Sequence, residues 1–427
     1  MTPEHHEAGF DGLGDLAPGE DVVTVIATKY SRPSLAAHLP GPKGIAIMKA
    51  TRHLLAVALL AAIAPAAHAE IAIDVIGGSE VSLEGLVQAD GNWFDNDLAD
   101  LNGVGANGDD SEYELRRAEI VLKGKGPGNF EWVLGYDAKA DKFLDVNAKY
   151  KLGGDSNHFL QVGQYKQPNS LEELSSTKNN DFISKATVTN TYAVARRLGA
   201  AYGYGTSDWG ITASYFGREL TRNLAHGSGW GVRGNFAPIN ESGNILHFGL
   251  AYANYDTDAD TFRVRARPNA DLATVRLVDA GTMTDTDRIA TTSGEAMWVH
   301  GPFKLQGEYY TSSIDRMESG DYTSTGGYIS GVWNITGETW GYKGGVPSTP
   351  LPSEPASGMW QLGLRYDTID LNDGDVEGGK MDAWTAGVNW YWRSNFKFML
   401  NYVMVNSERE DVSDDPNIIE ARAQFYW

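Results

Sequence analysis

The chain has 427 residues, with 56 acidic and 35 basic side chains and a formal net charge of −21. This acidity, without any Lys/Arg cluster, excludes a nucleic-acid partner, because phosphate binding needs a basic surface. The absence of cysteine excludes a disulfide framework and any thiolate metal site, and no motif in the sequence predicts a cofactor.

The first recognisable element is MKATRHLLAVALLAAIAPAAHA, residues 48–69. Lys49 and Arg52 supply a positive start, an apolar stretch follows, and an Ala-His-Ala cleavage site ends at Ala69. This order of features is that of a secretory signal peptide. We therefore expect cleavage after Ala69.

The signal peptide divides the chain into three parts. Because signal peptides lie at the N-terminus, we interpret residues 1–47 as a non-native leader, with a genuine disordered leader as the alternative; neither is expected to carry a fold. The mature part, residues 70–427, keeps 30 basic and 50 acidic residues. The acidity therefore belongs to the mature protein.

Along the mature part, apolar and polar residues alternate with a period of two. At the C-terminus, Ile419, Phe425 and Trp427 lie on one face, and Glu420 and Arg422 lie on the other. This periodicity predicts strands with one apolar and one wet face. The same pattern recurs in residues 81–90, 130–139, 144–152, 303–309, 360–367 and 396–404.

Such strands fit either a soluble antiparallel sheet or a membrane barrel with a wet interior. Aromatic clusters near the predicted strand ends favour the barrel, because membrane barrels carry aromatic girdles there. At ~20 to 24 residues per strand and loop, the mature chain gives about 16 strands, which leaves a water-filled lumen rather than a packed core. We therefore predict an all-β fold, a transmembrane antiparallel β-barrel. Its long external loops are expected at residues 95–111, 256–293, 337–358 and 371–380.

The charges of the predicted strands lie on their polar faces. We count ten basic and nine acidic side chains there, against 30 and 50 in the whole mature chain. The acid excess therefore belongs to loops and rims. A lumen with charges of both signs conducts hydrated solutes, and its selectivity comes from local rings at the narrowest point.

Several phrases of the sequence occur in a familiar order: LRRAEIVLKGKG, WVLGYD, VGQYKQPNSLEELSSTK, RRLGAAYGYG and AGVNWYW. Together they resemble the phosphate-selective porin family of outer membranes, the O/P porins, over about residues 79–427. The resemblance implies a 16-stranded homotrimer in the outer membrane of a Gram-negative bacterium, in contact with lipid and lipopolysaccharide. It also implies an inward-folded constriction loop, basic residues that guide the anion, and a last strand marked for insertion by Trp427.

The resemblance places charged residues along the path of the solute. It assigns Arg116 and Arg117 to a paired arginine, Asp145 to an acidic partner in the constriction, and Lys397 to a lysine near the anion. Alternation also puts Arg117, Asp145 and Lys397 in the lumen, whereas Arg116 falls on the lipid side and requires a bulge or a rim position. The inward loop is expected within residues 164–195, with the candidates Lys166, Glu172, Glu173, Lys178 and Lys185.

Three departures from the family pattern predict weak phosphate binding. Glu173 and Glu131 stand where anion-specific members carry lysines, and Leu86 stands where they carry an arginine. A phosphate site relies on several converging cations with N–H donors. We therefore predict a passive diffusion channel for small hydrophilic or anionic solutes, and not an enzyme.

Two alternatives remain open at this stage. The long acidic loops also suit an adhesin or receptor barrel. A barrel lipase would need Ser, His and an orienting polar residue together at the rim, and His226-Gly227-Ser228 is the adjacent Ser/His pair of the mature chain.

Overall fold

The computed structural model describes residues 71–427, except 77, 104, 106–108, 154–157, 222–226 and 258, and the side chains of 71–76. The predicted leader and signal peptide lie outside the described residues. Within the described part of the chain, no helix combines the length and apolar character needed to cross a bilayer.

Strands dominate the described residues, and two short helices, α1 (Leu171–Leu174) and α2 (Thr187–Tyr192), lie in one connection together with a 3-10 turn, Thr177–Asn179. The strands are β1 (Ile71–Ile76), β2 (Ser79–Asp95), β3 (Ser111–Lys125), β4 (Phe130–Asp137), β5 (Lys142–Lys151), β6 (Phe159–Lys166), β7 (Arg196–Gly205), β8 (Trp209–Phe216), β9 (Gly229–Glu241), β10 (Asn244–Asp256), β11 (Phe262–Ala266), β12 (Val278–Met283), β13 (Thr286–His300), β14 (Phe303–Arg316), β15 (Tyr322–Asn334), β16 (Gly341–Lys343), β17 (Val346–Ser348), β18 (Met359–Asp373), β19 (Val376–Trp392), β20 (Phe396–Arg409), β21 (Val412–Asp414) and β22 (Asn417–Tyr426).

Sixteen of these strands form a closed antiparallel barrel, which confirms the predicted fold. Each pairs with its neighbours in chain order, and β2 pairs with both β3 and β22. The closing register runs from Leu86 opposite Tyr426 to Asp95 opposite Asn417. The barrel consists of β2 to β10, β13 to β15, β18 to β20 and β22.

Alternation sorts each strand between lipid and lumen. In β20, Phe398, Leu400 and Tyr402 on the outer face are 38 to 53% exposed, whereas Lys397 and Asn401 on the inner face are 1% exposed. The apolar faces therefore cover the outside of the barrel, as the periodicity predicts. Leu144 departs from the alternation predicted for residues 144–152, because a register shift between β4 and β5 turns it to the lumen.

The connections alternate between two ends of the barrel. One end, the loop end, carries loop 1 (96–110), loop 2 (138–141), loop 3 (167–195), loop 4 (217–228), loop 5 (257–285), loop 6 (317–321), loop 7 (374–375) and loop 8 (410–416). The other end, the turn end, carries short turns and both the start of β2 and the end of β22.

Two of the four predicted external loops are wrong. Residues 371–380 belong almost entirely to the paired strands β18 and β19, which meet in a two-residue turn. Residues 335–358 connect β15 to β18 at the turn end, opposite the external loops. We call this segment, which contains β16 and β17, the inner hairpin.

The lumen is not uniformly wet, contrary to the prediction. A hydrophobic cluster fills the part of the lumen next to the loop end. It joins Val264 and Leu277 of loop 5 and Val188 of α2 to inward residues of the wall such as Met381 and Val405. Each fully buried aliphatic side chain contributes about 1.5–3 kcal/mol. Loops 3 and 5 are therefore packed into the barrel as structural parts of it.

Candidate pore and constriction

A cavity of about 580 Å³ lies in the lumen, and we call it the passage. On one side it is bounded by the inner faces of β2 to β7, which we call the passage wall. On the other side it is bounded by residues 174–179 of loop 3 and by 343–348 of the inner hairpin. The passage therefore follows one half of the barrel, and the inward segments fill the other half.

Charges of both signs line the passage, with cations in excess. The cations are Lys123, Lys149, Lys166, Lys178, Arg196 and Lys343, and the carboxylates are Glu84, Glu119, Glu131 and Asp145. Many of them are paired: Lys123 Nζ lies 2.5 Å from Glu84 Oε1, and Arg196 Nη2 lies 2.8 Å from Asp145 Oδ2. The lining is therefore close to neutral, with a small positive balance.

The first half of loop 3 is a short helical turn held by charge. Ser170 caps α1 by accepting a hydrogen bond from the backbone N–H of Glu173, 3.0 Å away. The carboxylate of Glu173 contacts Lys185 and lies 3.8 Å from Lys166. Burial by itself would raise the pKa of Glu173, but these two lysines outweigh it and lower the pKa to about 2, so the carboxylate stays charged.

Residues 178–184 of loop 3 lie between α1 and α2, and donors on the barrel wall satisfy their backbone carbonyl groups. These donors lie on β18, β19, β20 and β22. They are Gln424 to the carbonyl of Lys178 (2.9 Å), Lys397 to Asn180 (2.5 Å), Asn389 to Asp181 (2.8 Å), Arg422 to Ile183 (2.9 Å) and Arg365 to Ser184 (3.0 Å).

The inner hairpin enters the barrel from the turn end and is fastened to β9 and β10. Arg233 donates to the carbonyl of Gly345 at 2.7 Å, and the ring Nδ1 of His247 lies 2.7 Å from the hydroxyl of Tyr342. Trp340 is buried against Leu171 of loop 3. The inner hairpin and loop 3 therefore pack against each other across the lumen.

Loop 5 brings a group of arginines to the loop end. Arg267 and Arg265 are exposed, and burial together with these two like charges lowers the pKa of Arg276 to about 10. Arg116 is 2.9 Å from Asp271, which belongs to the same loop. Arg263 of this loop pairs with Asp279 at 2.5 Å, so loop 5 carries charge of both signs.

The structure brings part of the predicted constriction together. Asp145, Lys166 and Lys178 line the passage, and Lys185 and Glu173 form an ion pair next to it. The other four predicted residues are not among those that line the passage.

The two neighbouring arginines of β3 occupy different positions. Arg117 pairs with Glu119 at 3.1 Å on the passage wall. Arg116 is the extra residue of a register shift, because Gln88 faces Arg117 while Ala89 faces Leu115. Alternation required either a bulge or a rim position for Arg116; the structure shows the bulge, and it lets Arg116 reach loop 5.

Lys397 and Glu172 support loop 3 and do not line the passage. Lys397 is 1% exposed, with its Nζ on the carbonyl of Asn180 and 4.6 Å from the ring centroid of Tyr391. Glu172 accepts from the backbone N–H of Ala186 at 3.0 Å. Burial raises the pKa of Glu172.

Sequence reasoning missed Arg196, Lys343 and the arginines of loop 5. Arg196 begins β7 in the phrase RRLG, directly after the inward loop, and this position was a usable signal. Lys343 lies on the inner hairpin, and its side of the barrel could be read only from the complete strand count.

Residues 87–427 match the model of the family described as phosphate-selective porin O and P. The chain is 26% identical over 418 residues to Porin O of Pseudomonas aeruginosa, covering 84% of this chain and 93% of that protein. It is 30% identical over 314 residues to an uncharacterized protein of Caulobacter vibrioides, covering 69% of this chain and 62% of that protein.

Two solved structures share the fold at low sequence identity. Outer-membrane expressed OmpT of Vibrio cholerae superposes with a TM-score of 0.54 at 10% identity, covering 84% of this chain and all of that one. Salmonella typhi OmpF in complex with daunomycin gives 0.52 at 14% identity, covering 83% and 100%.

The family match covers most of the chain, and it favours a channel over an adhesin or a lipase. His226 of the Ser/His pair lies outside the described residues. The closed barrel, its inward loop and the family match lead to one conclusion. The chain belongs to the phosphate-selective porin O and P family of outer-membrane porins.

Proposed function

We propose that the protein is a passive diffusion channel for small hydrophilic solutes, with a weak preference for anions and no catalytic activity. The lining of the passage carries this proposal, because six cations face four carboxylates there. Mixed charge keeps the passage hydrated, and the small positive balance favours anions.

Strong phosphate binding does not fit this lining. Lys123 and Arg196 are each held by a carboxylate, and Leu86 and Glu131 line the passage. A bound phosphate would have to compete with those carboxylates for the N–H donors. We infer that phosphate crosses the channel as one anion among others.

We propose that the protein is a homotrimer that packs through its shortest strands. Strands β4 to β8 have 8 to 10 residues, and their outer faces expose Leu134, Val162, Ile211 and Tyr215. An apolar patch on a low wall fits a second copy of the chain, and one solved OmpT of Vibrio cholerae carries the description "trimer form". The taller strands would then face lipid and lipopolysaccharide.

Recordings in planar bilayers test the channel. We expect discrete ohmic openings, a reversal potential in a salt gradient that indicates weak anion preference, and chloride current that millimolar phosphate leaves nearly unchanged. Tight block by phosphate would contradict the proposed selectivity, and absence of openings would contradict the channel itself.

A further inference from the structure

We propose that Glu308 is a positioning residue of the channel: its carboxylate fixes the first turn of loop 3 and thereby sets the constriction. Glu308 is on the inner face of β14 and is 3% exposed. It does not line the passage. Of the experiments that test this proposal, only the bilayer recordings rest on the proposed channel function.

Five donors converge on this one carboxylate. Its Oε1 accepts from the backbone N–H of Glu172 at 2.8 Å, from the hydroxyl of Tyr328 at 2.9 Å and from Ser170 Oγ at 3.3 Å. Its Oε2 accepts from the backbone N–H of Leu171 and from the hydroxyl of Tyr310, both at 2.9 Å.

These bonds leave the carboxylate no capacity for another partner, since an ionised carboxylate offers about four acceptor sites. Among the described residues, no Lys or Arg nitrogen lies within 4.0 Å of Glu308. Its partners are therefore loop 3 itself and two wall tyrosines. A carboxylate bound in this way holds backbone and does not guide solute.

The position of α1 decides what lies in the passage. Leu171 packs against Trp340 of the inner hairpin, and Leu174 of α1 lines the passage together with the residues directly after it, 175–179. Glu173 on the same turn contacts Lys185. If the turn leaves Glu308, the lining of the passage moves with it.

Beyond α1, residues 178–184 of loop 3 have attachments of their own, the wall donors to their carbonyl groups. Losing Glu308 should therefore release only the first half and leave the barrel closed. This separation distinguishes a positioning role from a contribution to folding.

Glu308→Gln is the decisive variant, because the amide has nearly the same shape but presents an N–H₂ group to N–H donors. The chain has no cysteine, so a Leu171→Cys substitution reports whether α1 is exposed. Leu171 is 0% exposed, and a small water-soluble methanethiosulfonate reaches position 171 only when the turn opens.

In the Leu171→Cys background, we expect Glu308→Gln to raise the labelling rate about tenfold or more, the effect of losing a hydrogen bond to a charged group. Heat-modifiability on gels should stay unchanged, and bilayer recordings should show noisier openings. Glu377→Gln, the same change at an exposed position of the loop end, is the matched control.

Tyr328→Phe removes a single donor and should give a smaller rise in labelling, so the proposal stays testable if Glu308→Gln folds poorly. Labelling rates equal to the parent in both variants would overturn the proposal. Labelling does not depend on conduction, so a protein that forms no channel would refute the proposed function and still decide the role of Glu308.

Discussion

The two halves of the barrel use the same alternation of side chains for different purposes. On the passage wall, the side chain of Lys123 is 41% exposed and pairs with Glu84. On the opposite half, which we call the packed wall (β13 to β15, β18 to β20 and β22), Lys397 and Arg365 are each 1% exposed and bind carbonyls of loop 3. A residue that faces the lumen therefore does not necessarily face the solute.

The difference follows from what covers each wall. Strands β4 to β7 are 8 to 10 residues long, and water reaches much of their inner face. The barrel strands β13 to β20 are 13 to 17 residues long, and loops 3 and 5 and the inner hairpin cover their inner faces. Buried cations there need acceptors, and the carbonyl groups of loop 3 provide them.

We expect the largest effect from removing the inner hairpin, which enters the lumen from the turn end. Replacing residues 337–358 with a short Gly-Asn turn removes the inner hairpin while β15 and β18 remain paired. We expect single-channel conductance to rise roughly twofold or more, because the open cross-section grows. Shortening loop 6, which lines no part of the passage, is the control. Unchanged conductance would show that the hairpin does not restrict the pore.

A matched pair of lysines sharpens the comparison. Lys149 lines the passage, and Lys149→Met should shift the anion-to-cation permeability ratio two- to fivefold toward cations, the effect of about 0.5–1 kcal/mol of screened charge interaction. Lys397→Met should change the reversal potential less, since its charge lies behind loop 3. Equal shifts in the two variants would mean that the packed wall also sets ion preference.

The same Lys397→Met variant should loosen loop 3. It leaves the carbonyl of Asn180 without its donor, at a cost of about 1–3 kcal/mol. More frequent closures under applied voltage would report this loss, and Lys149→Met should not show them.

The smallest expected effect is the response of channel closures to pH, which we assign to Glu173. Its pKa falls from 4.5 to about 2 in the folded protein, so its ion pairs stabilise loop 3 by about 3 kcal/mol above pH 4.5, and this is lost as the pH falls toward 2. We expect channel closures to be constant from pH 7 to 5 and to increase below pH 4.5. Glu173→Gln should close more often than the parent from pH 7 to 5, without that dependence. A similar acid response in Glu173→Gln would assign the response to another group.

Period-two patterns were sufficient to predict the strands and the barrel. The chain from Lys397 to Met404 alternates so regularly that its outer face could be read directly, and length set the number of strands. The pattern also required either a bulge or a rim position at Arg116, because an arginine side chain that faces lipid is costly. The structure shows the bulge.

The candidate site was only partly predictable. Asp145 was placed in the lumen by alternation and by resemblance, and Lys178 was a candidate because it lies in the expected inward loop; both line the passage. The contact of Lys397 with Asn180 joins residues that are 217 positions apart, and no local pattern encodes such a pairing. Whether the inner hairpin lies at the loop end or at the turn end depends on the number of strands before it. Missing one strand in the prediction moves the hairpin to the opposite end.

The sequence by itself determined which side chains face lipid and which face the interior, because the pleat of a strand alternates residues between two solvents. Only the tertiary structure decided which interior residues meet water. Loops 3 and 5 and the inner hairpin come from distant parts of the chain, and their burial converts half of the polar wall from a channel lining into a support.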